Sequence, residues 1–199
     1  MITVGMDEVG RGCWAGPLVA GAVVLSPKQR PSGIPVLLRD SKKLSKHQRE
    51  ESADWIYHHA LSVGVGWVEP SEIDSIGLTR AVGLVMERAL SQITMHYEEL
   101  IIDGNYNFLP YEPRSRAVVR ADDTYLAVSA ASIVAKVARD DYMTTLDARY
   151  DGYGFDQHVG YGTAMHLEAL RRLGVSDLHR RSYRPVKLLL AGDDGAELL

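Results

Sequence analysis

Apolar and polar residues recur with two different periods along the chain, and each period predicts a type of element. Short apolar or alternating runs are typical of strands, and the first two runs are close enough to form a hairpin. The five predicted strands are Ile2–Asp7, Leu18–Leu25, Leu61–Val68, Leu100–Asp103 and Ala117–Arg120. They are separated by polar, glycine-containing segments, so the chain alternates strands with other elements.

Apolar residues spaced three and four apart predict helices between and after these strands. Ser45 and Gln48 form a capping-box pattern at the start of the first helix. The later helices are predicted over Leu78–Ile93, Leu126–Tyr142 and Thr163–Leu173, with another near Ser176. This order predicts the α/β class, with a mixed β-sheet flanked by helices and with helices finishing the chain.

Composition is that of an ordinary folded protein: 199 residues, 46% hydrophobic and 24% charged. A chain of this length predicts one domain, which we place over residues 1–190, followed by a short acidic tail at 191–199. The single cysteine, Cys13, excludes an intrachain disulfide and a four-cysteine zinc site. The longest apolar run is shorter than the ~18 residues of a membrane span, and acids near the N-terminus are unlike a signal peptide. We therefore expect a cytoplasmic protein without membrane contact. We also expect it to be a monomer.

Net charge is −4, which argues against binding nucleic acid through bulk charge. Residues 161–190 are nevertheless locally basic. This segment contains Arg171, Arg172, Arg180, Arg181, Arg184 and Lys187, with only Glu168 and Asp177 as acids. On composition alone, a solvated helix face is the simpler interpretation.

Four carboxylates lie where predicted strands end or helices begin. They are Asp7 and Glu8 after the first strand, Asp103 after the fourth, and Asp122 before the helix that starts at Leu126. Ligands of open α/β sheets gather at strand ends, so these acids can converge in space. Clustered carboxylates repel unless a cation neutralises them, and oxygen ligands suit Mg²⁺ or Mn²⁺.

Each acid also has a simpler interpretation. Neighbouring side chains on a strand point to opposite faces, so Asp7 and Glu8 share one site only where the strand ends. Asp103 before glycine is an ordinary turn residue, and Asp122 or Asp123 is a suitable helix cap. The residues alone leave both interpretations open.

The glycine-rich turn at 10–16 follows the first strand directly. Its spacing is not that of the dinucleotide-binding fingerprint, and no Walker A motif is present. Gly10 and Gly12 would let the backbone approach a ligand closely, with Arg11 available for a phosphate. A tight hairpin turn is the alternative.

One polar stripe runs along the helix predicted over Leu126–Tyr142. Its members are Ser129, Ser132, Lys136 and Asp140. Either the stripe is solvent-exposed or internally bonded, or it borders the acidic group with Lys136 balancing charge. The spacing does not decide between them.

Taken together, six short blocks resemble the ribonuclease HII family, the type 2 ribonucleases H. In chain order they read MDEVGRG, DSKKLS, IIDG, SAASIVAKVARD, GYGTAMH and HRRSYRPV, and they cover essentially the whole chain. The resemblance implies an RNase H-like fold and endonucleolytic cleavage of the RNA strand in RNA/DNA hybrids. It also implies nicking 5′ of single ribonucleotides embedded in duplex DNA, giving 3′-hydroxyl and 5′-phosphate ends. We expect no N-terminal domain of the kind typical of ribonuclease HIII, because the sequence opens almost directly on the first strand, and we find no clear clamp-binding motif.

The resemblance also implies roles for particular residues. Asp7, Glu8, Asp103 and Asp122 match the family's catalytic acids, which bind two Mg²⁺ or Mn²⁺ ions. Gly10, Arg11 and Gly12 match the segment that reads the 2′-hydroxyl, Tyr161 matches a tyrosine at the same nucleotide, and Lys42 matches a lysine near the substrate backbone. Arg180 and Arg181 are expected to contact phosphates. The chain departs from the family pattern at two places. Arg120-Ala121 stands where the family usually has Lys-Gly, and Val159 stands where a lysine is common.

Two other functions remain open from the residues. A different RNase H-like nuclease would use the same acids but would not need the glycine turn or Tyr161. A catalytically silent binding module would use the acids as caps and turns and the basic segment to hold nucleic acid. Sensitivity to the 2′-hydroxyl and to divalent metal separates these possibilities.

Overall fold

A computed structural model describes residues 1–28, 36–38 and 41–192, so most of the predicted acidic tail lies outside the described residues. Five strands form one mixed sheet in the order β3-β2-β1-β4-β5. Their bounds are β1 Thr3–Val9, β2 Leu18–Val24, β3 Ser62–Val68, β4 Glu99–Asp103 and β5 Ser115–Val118. Strands β1 and β2 are antiparallel, as the predicted hairpin requires, whereas β4 runs parallel to both β1 and β5. The predicted mixed sheet is confirmed.

Seven helices accompany the sheet in the described residues, and none of them is long and apolar enough to cross a membrane. Their bounds are α1 Lys46–His59, α2 Pro70–Ile76, α3 Leu78–Leu90, α4 Leu126–Asp147, α5 Phe155–His158, α6 Ala164–Leu173 and α7 Arg184–Leu190. Short 3₁₀ turns occupy Ser41–Lys43 and Ala121–Asp123. The predicted capping box is present, because Ser45 Oγ accepts from Gln48 N at 3.2 Å and Gln48 Oε1 accepts from Ser45 N at 3.0 Å.

Three predictions about elements were wrong. The first strand was predicted to end at Asp7, but β1 continues to Val9. No helix forms near Ser176, because the chain there pairs with the glycine-rich turn: Gly16 N donates to Leu178 O at 2.9 Å, and Arg180 N donates to Trp14 O at 2.8 Å. The fifth strand ends at Val118 rather than Arg120. Arg120 instead takes a left-handed conformation with φ 56°, which starts the turn carrying Asp122.

The chain divides into two compact units, and the sheet belongs almost wholly to the first. This unit comprises Met1–Val9, Val19–Trp67 and Val82–Val137. Helix α4 packs directly on the sheet there, because Gly5 and Gly21 have no side chain: a Cβ on Gly5 would collide with the backbone of Ala127, and one on Gly21 with that of Ala131. These two glycines share a face of the sheet with Asp7, so the helix reaches that acid closely.

The second unit comprises Gly10–Leu18, Val68–Ala81 and Ala138–Leu199. Its core joins aliphatic side chains to aromatic rings, with Trp14 and Phe155 among them. Three histidines, His158, His166 and His179, are buried against this core, and the rings of His158 and His166 stack with centroids 4.3 Å apart. Buried histidines need a hydrogen-bond partner at each ring nitrogen.

The partners of two of these histidines fix their neutral tautomers. His166 Nδ1 donates to the carbonyl of Tyr161 at 2.9 Å, so its Nε2 accepts from His179 Nε2 at 3.0 Å. His179 Nδ1 accepts from Ser176 N at 3.0 Å, which leaves the proton on Nε2. Neither ring can take a second proton without losing one of these hydrogen bonds.

We therefore expect the free energy of unfolding to decrease below neutral pH. Burial lowers the pKa of His166 to about 3 and that of His179 to about 4, from an ordinary 6.5. Both stay neutral in the folded protein while the unfolded chain takes up protons, so stability is full above pH 6.5 and is lost as the pH falls towards 4. Between pH 7 and 5 each histidine loses about 2 kcal/mol of this contribution and the two together lose about 4 kcal/mol, or roughly 8–16 °C in Tm by thermal unfolding.

Two variants separate this effect from the general titration of carboxylates. His166→Gln has no titrating ring, so its Tm should change less between pH 7 and 5 although it starts lower. His58→Gln, at an exposed position on α1, should keep the full pH dependence. An unchanged pH dependence in His166→Gln would show that the buried histidines do not cause the loss.

Candidate active site

Two of the four predicted acids, Asp7 and Asp103, lie side by side on the parallel pair β1 and β4. The register pairs Met6 with Ile102, so Asp7 and Asp103 are the next residues on neighbouring strands. Glu8 follows Asp7, but β1 continues to Val9, so the strand does not end at the acids as the sharing of one face would require; the charge of Glu8 nevertheless acts on Asp7. The carboxyl ends of parallel strands thus bring together residues that are about a hundred positions apart in sequence.

At this site the pKa of Asp7 is strongly changed. Burial, followed by the negative charges of Glu8 and Asp103, raises the pKa of Asp7 from 3.8 to about 8. Two hydrogen bonds partly oppose this rise, one from the Glu8 amide to Asp7 Oδ1 at 2.8 Å and one from the Ser132 hydroxyl. Without a cation, a proton therefore occupies the group over much of the neutral range.

Asp122 lies on the turn that begins at Arg120, and this turn is joined both to the end of β4 and to α4. The amide of Ala121 donates to Asp103 Oδ1 at 2.7 Å, which ties the turn to the end of β4. Ser129 Oγ donates to the carbonyl of Asp122 at 2.6 Å and fixes the turn to α4. Among the described residues, no group of three or more histidine, cysteine or acidic side chains already has an arrangement that holds a metal ion.

Ser132 is a residue of the site that the sequence singled out only as one member of a polar stripe. It is buried on α4 and hydrogen-bonds to Asp7, as the site-facing interpretation of the stripe predicted. Its Oγ also lies 3.0 Å from the Oγ of Ser41. Ser41 belongs to the same 3₁₀ turn as the exposed Lys42, so two hydroxyls connect the turn carrying Lys42 to the acid.

In the second unit, the glycine-rich turn presents Arg11 and Gly12 to solvent. Gly10 has φ +92°, and a Cβ there would collide with the side chain of Arg139, so this glycine is required by the fold. Gly12 is different, because a Cβ on it would meet nothing within 4 Å. The fold does not require glycine at position 12, which leaves room there for close approach of a ligand.

Tyr161 is held at its backbone and partly exposed at its ring. Its amide donates to the carbonyl of His158 at 2.9 Å, and its carbonyl accepts from His166. The ring is 38% exposed, and burial of the remainder, with Cys13 close by, raises its pKa to about 12. The phenol therefore stays protonated and can donate a hydrogen bond at any physiological pH.

The predicted phosphate contacts differ from one another in exposure. Lys42 and Arg181 are exposed, and the amide of Arg181 donates to Asp74 Oδ2 at 2.8 Å. Arg180 is completely buried, and its guanidinium donates to protein carbonyls. Because Arg180 is buried, it cannot contact a phosphate directly as predicted. Its burial also differs from the solvent-exposed helix face that composition favoured for this segment.

Metal binding at the acidic group should depend on pH through Asp7. Because its carboxyl must lose a proton whose pKa is about 8, the apparent affinity for Mn²⁺ should rise roughly tenfold per pH unit between pH 6 and 8. Calorimetric titration at three pH values measures this. Ser132→Ala removes a hydrogen bond that lowers the pKa of Asp7, so the rise should move to higher pH.

Ser52→Ala is the matched control. Ser52 is also a buried serine of the first unit, but its hydroxyl donates to the carbonyl of Leu37 and takes no part in the acidic group. Its pH profile should coincide with that of the unchanged protein. An affinity independent of pH, or an identical profile for Ser132→Ala, would contradict the role assigned to Asp7.

Comparison with known proteins identifies the family to which this arrangement belongs. The Ribonuclease HII family model matches residues 4–186. The chain is 45% identical over 191 residues to a ribonuclease HII from Janthinobacterium sp. (strain Marseille), covering 96% of this chain and 89% of that protein.

Two crystal structures resemble the chain along 96% of its length. The ribonuclease H2 from Pyrococcus horikoshii OT3 has 26% identity and a TM-score of 0.80, with 98% of its chain covered. Bst-RNase HIII in complex with Mn²⁺ has 20% identity and a TM-score of 0.75, with 70% of its chain covered. The likeness confirms the predicted RNase H-like fold. The family comprises divalent-metal-dependent ribonucleases H that act on RNA/DNA substrates, and this chain belongs to the ribonuclease HII family.

Proposed function

We propose that this chain is an endonuclease that cuts on the 5′ side of ribonucleotides, both in RNA/DNA hybrids and at single ribonucleotides within duplex DNA. The products would carry 3′-hydroxyl and 5′-phosphate ends. The observation that carries the proposal is the convergence of Asp7, Glu8 and Asp103 at the ends of β1 and β4. Asp122 on the adjoining turn completes the set of acids.

The acidic group fits a pair of divalent cations. Every candidate ligand is a carboxylate oxygen, the ligand type that Mg²⁺ and Mn²⁺ prefer. The raised pKa of Asp7 supports this, because burial and the charges of Glu8 and Asp103 make its ionised form unfavourable until a cation binds. Bound ions would supply an activated water and stabilise the leaving 3′-oxygen. We propose that Asp7 contacts both ions and that Glu8, Asp103 and Asp122 complete their ligands.

The rest of the proposal concerns how these residues are oriented and how a ribonucleotide is distinguished from a deoxyribonucleotide. The amide of Glu8 and the Ser132 hydroxyl orient Asp7, and the amide of Ala121 orients one oxygen of Asp103. The 2′-hydroxyl can both donate and accept, and we propose that it meets the backbone of the turn at Gly10–Gly12, where the residues Arg11 and Gly12 are exposed. We propose that Tyr161 packs on the same nucleotide. Lys42 and Arg181 are proposed phosphate contacts whose contribution should weaken as salt increases.

Asp7→Asn tests the catalytic assignment. We expect turnover to fall by roughly 100-fold or more, because the residue contacting both ions loses its charge. The folded pKa of about 8 lies above the unfolded value, so ionised Asp7 destabilises the protein as pH rises from 4 to 8. The variant should therefore unfold at a higher Tm than the unchanged protein at pH 8 without metal.

The assay uses a DNA duplex with one embedded ribonucleotide beside an all-DNA duplex, with Mg²⁺ and then with chelator. The proposal expects a metal-dependent nick 5′ of the ribonucleotide and none in the control duplex. Cutting of both duplexes would instead indicate a general nuclease. Metal-independent binding without any nick, from folded protein, would indicate a binding module.

Tyr161→Ala tests recognition of the nucleotide. Loss of ring packing on a sugar or base costs ~1–3 kcal/mol by alanine substitution, so kcat/KM at a single ribonucleotide should fall about 5- to 150-fold. Long hybrids offer many ribonucleotides, and we expect a smaller loss on them. Rates on both substrates, measured at equal metal concentration, give the comparison.

Tyr161→Phe and Tyr111→Ala serve as controls. The first keeps the ring and should keep most of the activity, whereas the second removes a tyrosine that is 62% exposed in the first unit. Equal losses on both substrates, or no loss, would exclude a recognition role for Tyr161.

A further inference from the structure

Two arginines of the second unit, Arg139 and Arg180, are completely buried. Burying a guanidinium is costly unless its donors are satisfied. Among the described residues, no carboxylate pairs with either one; all their hydrogen bonds go to carbonyls and one hydroxyl. Burial lowers the pKa of Arg180, and the charge of Arg139 lowers it further. The two guanidinium groups therefore lie close enough to repel each other.

Arg139 joins two separate turns. Its Nη2 donates to Ala15 O at 3.1 Å, in the glycine-rich turn, and its Nε donates to Pro17 O at 2.8 Å, directly after that turn. Its Nη1 donates to Val159 O at 2.8 Å, two residues before Tyr161. Its side chain also fills the space where Gly10 has no Cβ.

Val159 shows that this connection constrains the backbone. Its φ is +43°, a conformation that is an outlier for a β-branched residue. Such strain persists only where surrounding contacts fix it. The carbonyl that this conformation presents is the one that Arg139 binds, and Gly160 and Tyr161 follow directly.

Arg180 fixes the exposed part of the same turn. Its Nε and Nη2 both donate to Gly16 O, at 3.0 and 2.9 Å, and its Nη1 donates to Arg11 O at 3.1 Å. The Tyr183 hydroxyl accepts from Arg180 Nη1 at 2.9 Å and donates to Arg11 O at 2.6 Å. The carbonyl of Arg11, beside Gly12, is therefore held by two donors.

We propose that Arg139 and Arg180 are positioning residues for ribonucleotide recognition, holding the backbone at Gly10–Gly12 and the turn at Tyr161 in one fixed arrangement. This inference rests on the proposed function. A backbone that reads a single hydroxyl must be placed to within about half an ångström, which a loop achieves only when supported. Planar guanidinium groups supply that support, because their fixed fork of donors binds several carbonyls at once.

Tyr183→Phe is the mildest test, because it removes one hydroxyl from the network and leaves both arginines in place. Binding is measured in an Asp7→Asn background with Mg²⁺, so that the substrate is not cut. The measured quantity is discrimination: the Kd of an all-DNA duplex divided by that of the same duplex with one ribonucleotide. We expect discrimination to fall about fivefold, as the loss of a typical hydrogen bond predicts.

Arg180→Lys keeps the positive charge but loses the planar guanidinium donors that bind several carbonyls at once. We expect it to reduce discrimination roughly tenfold or more. Tyr150→Phe is the matched control, since its hydroxyl donates to Asp177 Oδ1, outside this network. It should leave discrimination within about twofold. A general loss of stability would weaken binding of both duplexes alike and leave their ratio unchanged, and Tm measured for each variant reports that loss separately.

The outcomes separate this inference from the proposed function. If the Asp7→Asn background itself shows no preference for the ribonucleotide, the proposed recognition fails. If the background discriminates and both Tyr183→Phe and Arg180→Lys match Tyr150→Phe, the arginines contribute only to stability and the inference is overturned. Should Arg180→Lys not fold, Tyr183→Phe alone decides.

Discussion

The burial of Asp7 beside other carboxylates is the constraint on which the rest of this structure depends. The strand register places Asp7 beside Asp103, and Glu8 follows within the same strand. Burial, with the negative charges of Glu8 and Asp103 added to it, raises the pKa of Asp7 to about 8. Ionised Asp7 is therefore unfavourable in the folded protein at neutral pH, a cost in stability of the kind that active sites carry.

The elements around the acids orient Asp7 and Asp103 through hydroxyl and amide donors. Gly5 and Gly21 allow α4 to lie directly on the sheet, which brings the Ser132 hydroxyl to Asp7. The left-handed backbone of Arg120 turns the chain so that the next amide donates to Asp103. Hydroxyls and amides can orient a carboxylate while leaving its charge available, whereas an arginine or lysine in the same place would compete with a metal ion for it.

The sequence predicted the parts of this arrangement that depend on local pattern. Period-two and helical spacing located the hairpin and most helices, and the position of Asp7 and Asp103 at strand ends predicted their convergence. Burial of Arg180 and the missing helix near Ser176 depend on pairing with the glycine-rich turn, which lies over 160 residues earlier, and no local pattern encodes it. The burial of Arg139 was predictable in principle. It continues the apolar stripe of Val128, Ala131 and Ala135 on α4, where an isolated arginine indicates buried acceptors.

The two units therefore handle buried charge in opposite ways, and each suits its proposed task. In the first, burial and neighbouring acids make the ionised form of Asp7 unfavourable, so the cation of the proposed function would relieve a cost already present in the fold. In the second, the donors of Arg139 and Arg180 are taken up by backbone carbonyls, which leaves little freedom to the turns they connect. In the proposed function, a cation would gain binding free energy by neutralising a carboxylate that is costly to ionise. Recognition of one hydroxyl instead requires a backbone held in place by hydrogen bonds, because movement of the backbone would let a deoxyribonucleotide fit as well.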